Sequence, residues 1–122
     1  MSLEISVNVA GAAELKQALA YFDVSMQRRV QKQLAEWAVS VKTEAERLVP
    51  VRTGYLKSSI YTGLQYWTAQ VGAEAEYAAH VEFGTAHAAA QPFLRPALQA
   101  LLPTLEPAIA NALDTAKAEA GL

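Results

Sequence analysis

The sequence contains no cysteine, so it can form neither a disulfide framework nor a thiolate metal site. Charged residues are also few, at 18% of 122 residues, and the ten Lys and Arg are spread along a chain of net charge -2. Proteins that hold nucleic acid tightly have a concentrated basic surface. We therefore expect a protein that is assembled in the cytosol and has no sequence-specific binding of nucleic acid.

Long apolar runs are absent as well. None approaches the roughly 18 residues that a membrane-spanning helix needs, and the first residues lack the basic start of a secretory leader. Apolar residues nevertheless make up 52% of the chain, too many for a disordered protein. A chain of this length is large enough for one core and too small for two. We expect a soluble, unprocessed chain, without membrane association, that folds as a single domain over residues 1–122.

Signatures of catalysis are missing too. The sequence has no glycine-rich phosphate loop and no G-x-S-x-G. Its two histidines are His80 and His87, and His80 forms an H-x-E with Glu82, but the zinc deaminases that use this pattern also need two cysteines. On a helix, His80 and Glu82 would point about 200° apart, which suits one metal ion poorly. We predict no enzyme, no cofactor and no small-molecule substrate; the alternative is a metal-dependent hydrolase that uses His80, Glu82 and His87.

The first half of the chain predicts a strand and helices. Residues 3–9 alternate apolar and polar side chains, the period of a half-buried strand. Apolar residues then recur every three or four positions over residues 15–22 and again from Met26 to Leu48, where they predict an amphipathic helix of about six turns. Pro50 should end this helix, because the residue before a proline avoids helical geometry.

The second half predicts a hairpin and further helices. Residues 58–72 suggest two strands joined near residues 64–66, and residues 74–83 suggest a short helix that ends at Gly84. Two prolines, at 92 and 96, bracket the start of the next helix, and Thr104 is placed to cap a last one that ends near Gly121. We predict an α+β fold in which the long N-terminal helix and the C-terminal helices pack on a small, mostly antiparallel sheet.

Three ordered segments carry a family resemblance: "VPVRTGYLKSSI" (49–60), "EYAAHVEFGTA" (76–86) and "AQPFLRPAL" (90–98). Together they resemble a tail-component family of long-tailed, lambda-like bacteriophages. Its members are known as head-tail connector, neck or tail-completion proteins, and it includes relatives of minor tail protein Z. The residues that match the family pattern, and that we expect to form the structural and assembly motifs, are Pro50, Arg52, Thr53, Gly54, Leu56, Tyr77, Glu82, Phe83, Gly84, Thr85, Pro92, Phe93, Arg95 and Pro96.

The resemblance implies a structural virion protein of a tailed phage or prophage, made in the bacterial cytoplasm. It would act in head-tail joining or tail completion as a homo-oligomeric ring that contacts other neck and tail proteins, and DNA would pass through the ring without being read. A generic homo-oligomeric protein-binding module is the other alternative to this function. The wide apolar faces of the predicted helices are compatible with burial between subunits.

Two hypotheses concern single side chains within these motifs. Glu82 is a charged residue among apolar neighbours, so we expect it to accept hydrogen bonds from Arg52 or Arg95. Phe93 and Leu94 either anchor the C-terminal helices on the sheet or on a neighbouring molecule, or belong to the ordinary core.

Overall fold

The computed structural model of the protein describes residues 2–9, 22–50 and 54–121. The predicted α+β class is confirmed. The predicted helix at 15–22 lies outside the described residues except for Phe22, and Arg52 and Thr53 also lie outside them. The elements are β1 (Leu3–Asn8), α1 (Val24–Leu48), α2 (Tyr55–Ser58), β2 (Ile60–Gln65), β3 (Thr68–Ala73), α3 (Ala78–Phe83), α4 (Leu94–Leu101), a 3₁₀ turn (Leu102–Thr104) and α5 (Leu105–Glu119).

The three strands form an antiparallel sheet in the order β1-β3-β2. Its register aligns Ile5 with Val71 and Val71 with Thr62, so alternate residues of each strand share one face. Apolar side chains of that face pack into the core, and the opposite face is polar. The alternation seen in the sequence is therefore the alternation between core and solvent.

Helix α1 is the element on which the others pack. Asp23 caps its start by accepting a hydrogen bond from the Met26 amide at 2.9 Å. It contacts β2, β3, α4 and α5 through a buried stripe. It ends as predicted before Pro50, with Val49 in an extended conformation. The stripe consists of Met26, Val30, Leu34, Trp37, Ala38, Val41 and Ala45.

The buried residues form two apolar clusters that meet along α1. One joins the sheet, the C-terminal half of α1 and the start of α4, and it contains Phe93 and Leu94, both fully buried. The other joins the N-terminal half of α1 to α5. Phe93 and Leu94 thus pack in the core and fix α4 on the sheet. None of the helices in the described ranges is long and apolar enough to cross a membrane.

The predicted strand at Ser58 and Ser59 is wrong, because the chain forms α2 before β2 begins at Ile60. Each serine hydroxyl donates to a backbone carbonyl three residues earlier, Ser58 to Tyr55 at 2.8 Å and Ser59 to Leu56 at 2.7 Å. Such local hydrogen bonds compete with strand pairing. The hairpin turn lies at residues 66–67, slightly later than predicted.

Thr104 occupies the N-cap position of α5 as predicted, but its side chain makes no capping hydrogen bond. The Thr104 hydroxyl donates to the Leu101 carbonyl and accepts from Nε1 of Trp37 at 3.0 Å. The indole of a buried Trp needs a hydrogen-bond partner, and this demand takes the hydroxyl away from the helix start. Gly121 follows the end of α5 with φ of +77°, as predicted.

The polar face of the sheet carries a hydrogen bond across all three strands. Tyr61 on β2 and Glu4 on β1 flank Gly72 on β3, and the Tyr61 hydroxyl donates to Oε1 of Glu4 at 2.7 Å. A Cβ atom at Gly72 would lie 2.6 Å from the Tyr61 hydroxyl oxygen, so glycine allows the ring to cross. Burial, followed by the hydrogen bond to Glu4 and the charges of Glu4 and Glu74, raises the pKa of Tyr61 to about 12.

The Tyr61 pKa predicts a loss of stability in alkali. Because the pKa rises from 10.0 to about 12 on folding, the stabilisation is complete below pH 10 and disappears as the pH rises through about 12. Titration of phenolate absorbance in the folded protein should show a late transition at about pH 12, from Tyr61. Tyr61→Phe should remove this transition, and Glu4→Gln should move it to lower pH. A late transition that persists in Tyr61→Phe would contradict the assignment.

Candidate functional site

Glu82 is the buried charged residue of the described part of the chain, with 2% of its surface exposed. It lies on α3, where Ala78 and Glu82 are four residues apart and share the inward face of the helix. Burying a carboxylate is unfavourable unless hydrogen-bond donors surround it. The neighbours of Glu82 therefore determine whether this helix can pack where it does.

The donors are the backbone amides at the start of α4. Oε1 of Glu82 accepts from the amides of Phe93 at 3.0 Å and Leu94 at 2.9 Å, and Oε2 accepts from the amide of Arg95 at 3.1 Å. The first amides of a helix have no partner within the helix, and its N-terminus carries partial positive charge. Glu82 thus caps a helix other than its own and joins the second sequence motif to the third.

The geometry refines the Arg95 half of the hypothesis of an arginine partner. Arg95 does bind Glu82, but through its main-chain amide, while its guanidinium lies 5.1 Å from the centre of the exposed Phe83 ring. An amide at a helix start is already held in place and loses no side-chain entropy on binding, whereas a buried guanidinium would also have to lose its hydration. Arg52 lies outside the described residues.

Gly84 lets the chain leave α3 and turn back. Its φ of +79° is in the region that favours glycine, and its amide donates to the His80 carbonyl at 2.8 Å. Its ψ of 173° lies outside left-handed helical geometry, so the chain leaves the helix in an extended direction. A Cβ atom here would lie 2.8 Å from the Ala90 nitrogen, so the returning backbone also requires glycine at this position.

The loop after Gly84 is folded against α3. The Thr85 hydroxyl oxygen accepts hydrogen bonds from the amides of His87 and Ala88, and the Thr85 amide donates to the Ala88 carbonyl at 2.8 Å. At its end, the Gln91 amide donates to the Val81 carbonyl at 2.8 Å. The alanine-rich residues 86–90 therefore belong to an ordered turn. In the sequence, Thr85 indicates this turn, because its hydroxyl can bind nearby backbone amides.

A cleft of about 700 Å³ lies beside this loop. All three sequence motifs contribute to it, and the described lining residues include the imidazole of His80. On the neighbouring surface the rings of Tyr55 and Tyr77 lie 6.0 Å apart, 56% and 41% exposed. The lining residues are Pro50, Gly54, Leu56, Tyr77, His80, Val81, Thr85, Ala88, Ala89 and Gln91.

The predicted motif residues fall into separate groups. Leu56, Glu82 and Phe93 are buried, whereas Phe83, Thr85, Pro92 and Arg95 are exposed; Pro50, Gly54, Gly84 and Pro96 are half-buried, and Tyr77 is exposed beside the cleft. The sequence did not single out Tyr55, Val81 or Gln91. Residue spacing could not identify them, because they belong to three separate segments that meet at the cleft and its edge only in the folded chain.

The three candidate metal ligands face different surroundings. His80 and His87 are exposed, whereas both oxygens of Glu82 accept hydrogen bonds from amides inside the protein. Within the described ranges, no group of three His, Asp or Glu side chains is placed to hold a metal ion. The geometry around these residues builds a turn and a cleft wall.

Replacing the Glu82 carboxylate should weaken the link between the second and third motifs. Glu82→Gln removes the charge and points an amide group at one of the amide donors, so we expect the free energy of unfolding to fall by about 2 kcal/mol. Glu36→Gln, on the exposed face of α1, is the matched control and should change it by less than about 0.5 kcal/mol. Urea unfolding followed by circular dichroism measures both. Equal effects would contradict the capping role of Glu82.

Two glycines share a positive φ but differ in ψ and in their surroundings. Gly54 has φ of +81° and ψ of -5°, and no atom of the described residues lies within 4 Å of a Cβ placed there. Gly84 has φ of +79° and ψ of 173°, with the Ala90 nitrogen at 2.8 Å. Gly54→Ala should therefore cost about 1 kcal/mol of unfolding free energy, from strain. Gly84→Ala should cost at least about 1 kcal/mol more, because its backbone conformation is almost restricted to glycine and the loop must also move. Equal losses in urea unfolding would contradict the tight packing of the loop on α3.

Comparison with known protein families gives a match that covers residues 13–84 and hence more than half of the chain. The matched range includes α1, the hairpin and the exit of α3 at Gly84, and ends before the motif that starts α4. Comparisons with curated proteins and with solved structures give no match. The resemblance to phage tail components is confirmed. The chain belongs to the family described as "Bacteriophage HK97-gp10, putative tail-component".

Proposed function

We propose that the protein is a structural component of a tailed phage or prophage virion that acts in head-tail joining or tail completion as an oligomeric ring. Membership of a phage tail-component family supports the structural role and implies interaction with other phage proteins. The observation that carries the proposal is the cleft with its neighbouring aromatic pair, to which all three motifs contribute. In this proposal the chain acts as one domain, in the host cytoplasm during assembly and then in the virion.

The cleft has the properties of a contact surface. Its lining is mainly apolar and backbone-rich, and the exposed rings of Tyr55 and Tyr77 beside it are of the type enriched at protein interfaces. The bond from Glu82 to α4 and the hydrogen-bonded loop hold its walls in place. A preformed surface loses less entropy on binding than a flexible one, which favours assembly at low concentration.

A ring also agrees with the charge of the chain. Closed rings arise from head-to-tail contacts that use two different surfaces of each subunit. A net charge of -2 and the spread of basic residues give DNA no strong binding surface. DNA passing through such a ring would meet little electrostatic resistance to movement.

Gene deletion in the phage tests the function directly. Without the protein we expect heads and tails to accumulate unjoined, or tails to remain unfinished, in negative-stain images. Supplying the native chain from a plasmid should restore joined particles and infectious titre. Complete, joined particles formed without the protein would contradict the proposal.

A further inference from the structure

The tip of the β2-β3 hairpin presents the most exposed of the large apolar or aromatic side chains in the described residues. Gln65 pairs with Thr68, so the turn consists of Tyr66 and Trp67, and the Tyr66 side chain is 77% exposed. The Trp67 side chain instead packs against the apolar cluster between α1 and α5. One aromatic residue thus fixes the turn to the core, and the other projects outward.

Tyr66 is an unfavourable residue for this turn. Its φ is +53°, where glycine or asparagine is favoured in two-residue hairpins, and a side chain there costs about 1 to 2 kcal/mol. The exposed ring gains little packing in the single chain to offset this cost. An aromatic side chain kept at a strained, exposed turn points to a role outside the subunit's own fold.

The turn is nevertheless held firmly. The Trp67 carbonyl accepts a hydrogen bond from the Val9 amide at 2.8 Å, and the Tyr66 carbonyl accepts one from Nε2 of Gln31 at 3.3 Å. Val9, directly after β1, and Gln31 of α1 therefore hold the backbone of the turn from two sides. Tyr66 is presented as a rigid projection, which lowers the entropy that binding would cost.

The cleft lies at the other end of the same elements. Gln31 contacts the turn, and α1 continues for 17 residues to Leu48, about 25 Å along its axis, before Pro50 contributes to the cleft. Strand β2 likewise runs from α2, beside the cleft, to the turn. Tyr66 cannot reach the cleft of its own chain. Tyr66 can, however, enter the cleft of a second copy of the chain.

We propose that Tyr66 of one copy inserts into the cleft of the next copy, and that this is the head-to-tail contact of the ring. The turn residues 65–68 carry no charge, and the described cleft lining contains no Asp, Glu, Lys or Arg, so association would not bury an unpaired carboxylate, ammonium or guanidinium group. The cleft, at about 700 Å³, is large enough for a phenol ring, and the Tyr55 and Tyr77 rings lie beside it for edge or offset contacts.

Tyr66 would be the anchor and not the whole interface. A tyrosine buries about 150 to 250 Å², whereas each partner in a stable interface contributes about 800 Å². Flanking surfaces must supply the remainder, as they do around other aromatic hot spots. This inference rests on the ring proposed above. The tests below distinguish a failure of the Tyr66 contact from a failure of the ring itself.

The first test removes the ring of Tyr66 without harming the turn. Tyr66→Asn suits a positive φ, so the variant should be at least as stable to urea as the native chain and should self-associate at least about tenfold more weakly. Val39→Asn, at another exposed apolar position on α1, is the control and should associate like the native chain. Sedimentation across a concentration series measures association. A Tyr66→Asn variant that associates normally would overturn the proposal.

The second test maps the contact, using the absence of native cysteine. A chain with Gln65→Cys is mixed with a chain carrying Ala89→Cys in the cleft, and a short bis-maleimide is added. Cross-linked pairs should form in this mixture and not when Ser40→Cys, on the exposed face of α1, replaces the cleft cysteine. A native oligomer with equal cross-linking in both mixtures overturns the Tyr66 contact alone. A native chain that is monomeric at millimolar concentration and forms no ring on phage tails overturns both the ring and the contact.

Discussion

The structure around the family motifs depends on one buried carboxylate. Glu82 is on α3 and the three amides that it binds are at the start of α4, so neither segment can pack in its observed place without the other. The carboxylate would be strongly unfavourable without these donors, and the amides would be unpaired without the carboxylate. The pairing places Phe93 and Leu94 in the core and fixes α4 on α1 and the sheet.

This constraint also produces the cleft. With Glu82 and the start of α4 fixed together, the intervening residues must return over a short distance, which the positive φ of Gly84 and the hydroxyl of Thr85 allow. The resulting loop forms one wall, opposite the end of α1 and α2. The chain therefore has a fixed cleft at one end and a fixed turn at the other, the two different surfaces that the proposed head-to-tail assembly requires.

Several elements were predictable because their signals are local. The stripe of α1, the alternation in the strands and the prolines that flank the start of α4 each describe a preference of the segment itself. The differences from prediction at Ser58, Ser59 and Thr104 share a cause, since each hydroxyl has several possible partners within reach. The hydroxyls of Ser58 and Ser59 bind nearby carbonyls, and these residues do not form a strand. The Thr104 hydroxyl binds the indole of Trp37 and does not cap α5.

The fold class, the order of most elements and the three motifs that carry the family resemblance could be read from the amino-acid sequence alone. The sequence did not reveal that Glu82 binds main-chain amides, that the guanidinium of Arg95 lies over Phe83, or that Tyr66 projects while Trp67 is packed inward. Periodicity specifies which face of an element is buried, because it depends on neighbours in the chain. It does not specify what lies against that face, because hydrogen bonds and packing depend on segments that only folding brings within contact distance.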